Sequence, residues 1–128
     1  MAKTSPSEFA SITVLVVDDE PYIVSLVSEI LCRYKILTAM SGTEALERSE
    51  HFGGEIHLLL SDFQMPGMSG MDLATQITLV RPKIKVLLMS GYAGGMLVLN
   101  EGWHFLAKPF IPSQLRSLVG ALISNIGR

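Results

Sequence analysis

Cysteine is nearly absent from this sequence: Cys32 is its single example. One thiol excludes an internal disulfide framework and a zinc site built from cysteines. Long apolar runs are missing too, since every one falls far short of the ~20 residues that span a bilayer. The opening stretch, Met1 to Ser11, is polar and lacks the apolar centre of a secretory signal. An excess of positive charge is also lacking. Ten basic residues stand against twelve acidic ones, a net charge of −2, so there is no broad basic field to hold nucleic acid. The three histidines, His51, His57 and His104, do not fall at ligand spacing. These absences lead us to expect a cytoplasmic protein with no direct contact to nucleic acid or membrane.

What is present is globular. Hydrophobic residues make up 48% of the 128 residues and charged ones 17%, which argues against disorder. The length suits one domain, long enough to bury about two-thirds of its unfolded surface without a staple. Residues 1–11 show no periodicity and read as a loose tail, leaving 12–128 as the domain. Two patterns then alternate. The apolar run Ile12 to Val17 fits a strand covered on both faces. Pro21 sits well in the first turn of a helix, whose apolar face is Ile23, Leu26, Val27, Ile30 and Leu31, with Cys32 packed beside it. Tyr34 to Met40 reads as a second strand, and Ser41-Gly42-Thr43-Glu44 as a capping box opening a helix to about His51.

The cycle repeats. Ile56 to Ser61 is a third strand ending at Asp62, followed by a loop of turn formers, Phe63 to Gly70. A third helix turns Leu73, Ile77 and Val80 inward and stops near Pro82. Ile84 to Met89 is a fourth strand ending at Ser90. Residues 91–102 hold a weak helix, because Gly94-Gly95 opposes helix formation. Trp103 to Ala107 is a fifth strand ending at Lys108-Pro109, and Pro112 opens a last helix with Leu115, Leu118, Val119, Leu122, Ile123 and Ile126 on its apolar face. Five strands alternating with helical segments predict an α/β domain: a doubly wound parallel sheet with helices on both faces.

In open parallel sheets, ligands bind beyond the carboxyl ends of the strands. There the sequence places Asp18, Asp19, Asp62, Ser90 and Lys108. Gathering carboxylates is unfavourable: at ~4 Å, two like charges cost about 4 kcal/mol at an effective dielectric of 20. Lys108 offsets part of this, and a divalent cation would offset the rest. An all-oxygen ligand set favours Mg²⁺, which bonds to one or two carboxylates and keeps several waters. A carboxylate can also attack phosphorus and form an aspartyl-phosphate, a transfer driven by positioning and charge neutralisation. Alone, each residue has a plainer role: Asp18 caps a helix, Asp62 starts a turn, Ser90 is a loop hydroxyl and Lys108 a solvated charge. Their joint position at strand ends favours a site. Met65, Met68, Met71, Met89 and Met96 read as gap fillers, and Trp103 as partly buried.

The runs Val-Leu-Val-Val-Asp-Asp-Glu (14–20), Leu-Leu-Ser-Asp-Phe-Gln-Met-Pro-Gly-Met-Ser-Gly (59–70), Leu-Met-Ser-Gly-Tyr (88–92) and Phe-Leu-Ala-Lys-Pro-Phe (105–110) resemble the receiver domain of two-component response regulators. The resemblance covers about residues 12–126. It implies a flavodoxin-like sheet of strand order 2-1-3-4-5, the order that general rules for doubly wound folds quote for a member of this family. It implies that Asp62 accepts a phosphoryl group from a phosphohistidine on a sensor histidine kinase or histidine phosphotransfer domain. Asp19, Asp62 and the main-chain carbonyl of Gln64 would ligate Mg²⁺, with Asp18 acting through metal-bound water. Lys108, ahead of a cis peptide bond to Pro109, would contact the phosphoryl oxygens. Ser90 would bind the same group and Phe105 change rotamer with it, altering the surface around the fourth helix and fifth strand. Gln64 and Tyr92 would tune dephosphorylation.

On this reading the protein is not an enzyme, beyond assisting its own phosphorylation and dephosphorylation. It would be a stand-alone regulator or a receiver module of a hybrid histidine kinase, and Ser90-Gly91-Tyr92 tilts towards the hybrid. One alternative is a Mg²⁺-dependent phosphohydrolase working through an aspartyl-phosphate, for whose substrate pocket the chain has little length to spare. Another is a degenerate receiver kept as a binding module, against which the intact acidic residues, Ser90 and Lys108 argue.

Overall fold

Alternate residues of a strand point to opposite faces of the sheet, so an unbroken apolar run needs cover on both sides. The computed structural model, which describes residues 11–91 and 103–124, meets that need with two cores. The strands are β1 (Thr13–Val17), β2 (Lys35–Ala39), β3 (Leu58–Asp62), β4 (Lys85–Ser90) and β5 (Trp103–Ala107). All neighbours are parallel, in the order β2-β1-β3-β4-β5. Leu15, Val17, Leu59, Val86 and Leu88 face one core, while Val14, Val16, Leu58, Leu60, Leu87 and Met89 face the other. Helices α2 (Gly42–His51) and α3 (Gly70–Val80) cover the first. Helices α1 (Pro21–Ile30) and α4 (Pro112–Ser124) cover the second. The expected fold class and strand order are therefore those observed. The loose tail over residues 1–10, the weak helix within 92–102 and the inward positions Met96 and Ile126 lie outside the described residues.

Local chemistry sets the helix ends. Pro21 opens α1. Ser41 caps α2 by accepting the Glu44 N–H at 3.1 Å, and the Glu44 carboxylate reaches back to the Met40 N–H at 2.7 Å. This is the predicted capping box displaced by one residue at its return bond. Ser69 caps α3 in the same way through the Asp72 N–H. Past its end, Arg81 turns its guanidinium to the end of α2, donating to the Ser49 hydroxyl and to the carbonyls of Ser49, Phe52 and Gly54 at 2.8–2.9 Å.

Three packing expectations are corrected. Cys32 is exposed, not packed. Helix α1 has ended by then, and the turn closed by the Cys32 N–H on the Glu29 carbonyl swings the thiol outward. In α1 the expected Ile23, Val27, Ile30 and Leu31 all join the core, but Leu26 is only half-buried and Val24 is buried as well. In α3, Val80 is 70% exposed and Ala74 takes the inward place, because the last turn rides past the sheet. Trp103 is partly buried, as expected.

Candidate functional site

The strand order brings the ends of β1, β3, β4 and β5 to one edge. Asp18 directly follows β1, Asp62 ends β3, Ser90 ends β4, and Lys108 directly follows β5. Asp62 is the last residue of its strand, in register with Met89 on β4, one position further into the sheet than the sequence suggests. Helix α3 starts hard against it. A Cβ on Gly70 would overlap the Asp62 carbonyl oxygen and lie 3.1 Å from the Phe63 Cα, so only glycine lets the helix approach this closely. Between them, Gly67 adopts φ +79°. That suits the third position of a type II turn with Pro66 in its second position.

Asp18 is fully buried and both of its oxygens are engaged. Oδ1 accepts the Glu20 N–H at 2.9 Å, and Oδ2 pairs with the Lys108 ammonium at 3.3 Å. Lys108 also donates to Asp62 Oδ1 at 3.1 Å. These partners lie 90 and 46 residues away in the chain. From the end of β5, Lys108 passes over β4 to meet Asp62 on β3, about two strand spacings of ~4.8 Å, and faces Asp18 from β1 one strand beyond, which calls for a side chain this long. Its main-chain N–H is fixed to the Ser90 carbonyl at 2.7 Å, and the Lys108–Pro109 bond is cis. Ser90 is buried and Asp19 exposed.

One carboxylate oxygen from each of Asp18, Asp19 and Asp62 lies within 4.8 Å of the others. Opposite ligands of an octahedral Mg²⁺ stand about 4.2 Å apart, so the all-oxygen set fits a small hard cation after a slight closure. Burial raises the Asp62 carboxyl above the usual range, and the charges of Asp18 and Asp19 push the same way against the hydrogen bond and charge of Lys108. For Lys108, burial alone acts downward. The hydrogen bond to Asp62 and the charges of Asp18 and Asp62 outweigh it, and the ammonium ends above its ordinary value. The arrangement therefore holds the Asp62 carboxylate beside a fixed cation, in an acidic cluster that could hold a second one.

The sequence-derived site residues thus converge, with Gln64 exposed in the loop directly after Asp62 and Phe63, and Phe105 half-buried on β5. Tyr92 lies outside the described residues. Two neighbours were not singled out. Gly70 is required by its close approach, and Phe63 packs its ring edge-to-face on Phe105, centroids 5.9 Å apart at 75°. A glycine before a helical pattern hints at the first, but no local pattern signals a ring pair between strands.

Comparison with known proteins agrees with this geometry. The chain is 37% identical over 121 residues to the sensor kinase CckA of Brucella abortus, covering 90% of this chain and 13% of that one. It thus spans about an eighth of that curated relative. Among solved structures, the receiver domain of the hybrid histidine kinase CckA superposes with a TM-score of 0.76 at 32% identity, over 87% of this chain and 98% of that one. The response regulator TrrA of Thermotoga maritima, solved in complex with Mg²⁺-BeF, has the same TM-score and coverage at 34% identity. The profile of the response regulator receiver domain matches residues 14–120. With the strand order, the acidic cluster and that match together, the chain belongs to the response regulator receiver domains, the phosphoacceptor modules of two-component signal transduction.

Proposed function

We propose that Asp62 is the phosphoacceptor and that it takes the group from a phosphohistidine on a sensor histidine kinase or a histidine phosphotransfer domain. The observation that carries this reading is the Lys108 ammonium 3.1 Å from one Asp62 oxygen, beside carboxylates clustered within 4.8 Å. An Asp62 oxygen attacks phosphorus as the bond from phosphorus to the histidine nitrogen breaks. Lys108 neutralises charge on the phosphoryl oxygens, and the Ser90 hydroxyl hydrogen-bonds to one of them. Asp19, Asp62 and the Gln64 carbonyl would hold Mg²⁺, whose charge screens the attacking carboxylate. Asp18, with both oxygens already engaged, would act through metal-bound water. The Mg²⁺-BeF complex of the relative TrrA supports this choice of ion.

Phosphorylation would then draw Ser90 and Phe105 into a new arrangement and change the surface around β5, with Gln64 and Tyr92 tuning the lifetime of the phosphoryl group. Residues 12–128 would form the receiver and 1–11 its tail. The receiver acts in the cytoplasm, as a regulator or as a module of a hybrid kinase. Among the described residues no helix is long and apolar enough to cross a membrane.

The test is incubation with Mg²⁺ and acetyl phosphate. The expected product is one acid-stable, base-labile phosphoryl group per chain, absent from Asp62→Asn. Full labelling of that variant at residue 62 overturns the assignment. Many turnovers on diverse phosphoesters would instead mark a hydrolase, and no adduct a binding module.

A further inference from the structure

We infer that Phe63 is a positioning residue that couples the state of Asp62 to the ring of Phe105. This rests on the phosphoacceptor reading above. The peptide that follows Asp62 is pinned on two sides. The Phe63 N–H donates to the Met89 carbonyl at 2.6 Å, and the Phe63 carbonyl accepts the Gly70 N–H at 2.9 Å. Gly70 itself leaves no space beside the Asp62 carbonyl. Main-chain movement at Asp62 is therefore checked by the end of β4 and the start of α3. The Phe63 side chain is the part still able to respond.

That side chain meets Phe105. The rings form an edge-to-face pair, centroids 5.9 Å apart at 75°, and both pack against the core that includes Leu88. Phe105 is the register partner of Leu88 on the edge strand β5. The ring pair thus reaches from the end of β3 to β5 past the intervening β4, as Lys108 does from the polar side. Strand β5 and the residue after it are tied to the end of β3 by two contacts of different chemistry: the charge of Lys108 on Asp62 and the ring of Phe105 on Phe63. Close-packed side chains pass displacement on rather than absorb it. A phosphoryl group on Asp62 draws Lys108 away from Oδ1, and the ring pair carries the same event into the apolar layer.

An edge-to-face pair biases one ring arrangement by about 2- to 12-fold beyond simple burial. Removing it should release Phe105 by that factor. The experiment reads ring signals of the full chain by NMR with ¹³C-labelled phenylalanine, before and after Mg²⁺ with beryllofluoride as a phosphoryl analogue. Phe63→Leu keeps an apolar side chain but removes the ring, and Phe63→Tyr keeps the ring. In the wild type, the Phe105 signal should move when the analogue binds. In Phe63→Leu, the analogue-free signal should already lie towards the bound position, by a population change of about 2- to 12-fold. Phe63→Tyr should restore the wild-type position, and acetyl phosphate should still label Asp62 in both variants.

An unchanged Phe105 signal in Phe63→Leu with labelling intact overturns the coupling, as does a shift away from the bound position. Wild-type labelling without any Phe105 movement overturns the coupling alone. No labelling of the wild type overturns the phosphoacceptor reading and this inference together. If Phe63→Leu fails to fold, Phe105→Leu with the Phe63 ring as reporter poses the same question: a Phe63 signal displaced in the analogue-free protein supports the coupling, and an undisplaced one overturns it.

Discussion

Replacing Lys108 with methionine keeps the length and removes the charge. The ammonium stands 3.3 Å from a fully buried Asp18 and 3.1 Å from Asp62. At an effective dielectric of 20, each contact is worth about 5 kcal/mol of gross attraction. Most of that is cancelled by the desolvation of lysine. Removing one partner of a buried pair costs about 3–5 kcal/mol, because the other charge is left uncompensated. The Lys108 side chain is 21% exposed, which places the effect at the low end. We expect Lys108→Met to lose about 3 kcal/mol at neutral pH in chelator, a drop in Tm of roughly 10 °C for a domain of this size.

The pH dependence sharpens the test. Asp62 already sits above its ordinary pKa in the native protein, so the folded state binds the proton more tightly than the unfolded state. Stability from this group therefore falls as pH rises through its native pKa. Without Lys108 the carboxylates repel one another unopposed, and that fall should steepen. The deficit of Lys108→Met should shrink on acidification. At the alkaline end the deficit shrinks again: Lys108 is raised in the native protein, and its stabilising contribution is lost as pH rises through that value, a limb the variant lacks. Mg²⁺ should restore the variant more than the wild type, since at 100 times Kd a ligand adds about 2.7 kcal/mol. Urea unfolding from pH 4 to 9, with and without Mg²⁺, measures the acidic limb and the metal effect, and the alkaline limb lies above that range. A variant within about 0.5 kcal/mol of the wild type at neutral pH, with the same pH slope, refutes the view that Lys108 balances the acidic edge.

Other outcomes follow from the same geometry. Asp19→Ala should weaken Mg²⁺ binding roughly tenfold or more, read by titration calorimetry; an unchanged isotherm removes Asp19 from the ligand set. Gly70→Ala drives a methyl group into the Asp62 carbonyl. It should cost about 1–3 kcal/mol and slow labelling of Asp62 in a stopped-time assay. Gly67→Ala should cost about 1–2 kcal/mol, the penalty of a side chain at positive φ, and this should appear as a lower urea midpoint with the labelling chemistry retained.

Most of the fold was legible because each strand is a short apolar run ended by a polar residue, and because helix starts carry caps or prolines. Ser41 with Glu44, Pro21 and Pro112 mark starts that need only local chemistry. The acidic residues were legible for the same reason, since they interrupt the runs at one end. The rest depended on partners far off in the chain. Val80 fits a helical stripe, yet α3 is about to end and the sheet no longer lies beneath it. Cys32 falls one residue past the buried Leu31, where the turn has already changed direction. Whether Gly70 is a linker or a steric necessity depends on the Asp62 carbonyl. Phe63 looks like any loop aromatic until Phe105 is brought across β4.

The long reach of Lys108 ties chemical competence to the completion of the chain's folding. Its ammonium arrives 90 positions after the carboxylate it neutralises, directly after the strand at the rim of the sheet. A nascent or partly unfolded molecule can present Asp62 on β3 without the cation that balances it. Contacts this distant in sequence form late and slowly. With Asp62 as the phosphoacceptor, the domain would carry no signal before β5 has docked, and β5, the strand whose surface would report the signal, would also be the strand whose arrival brings in the balancing cation.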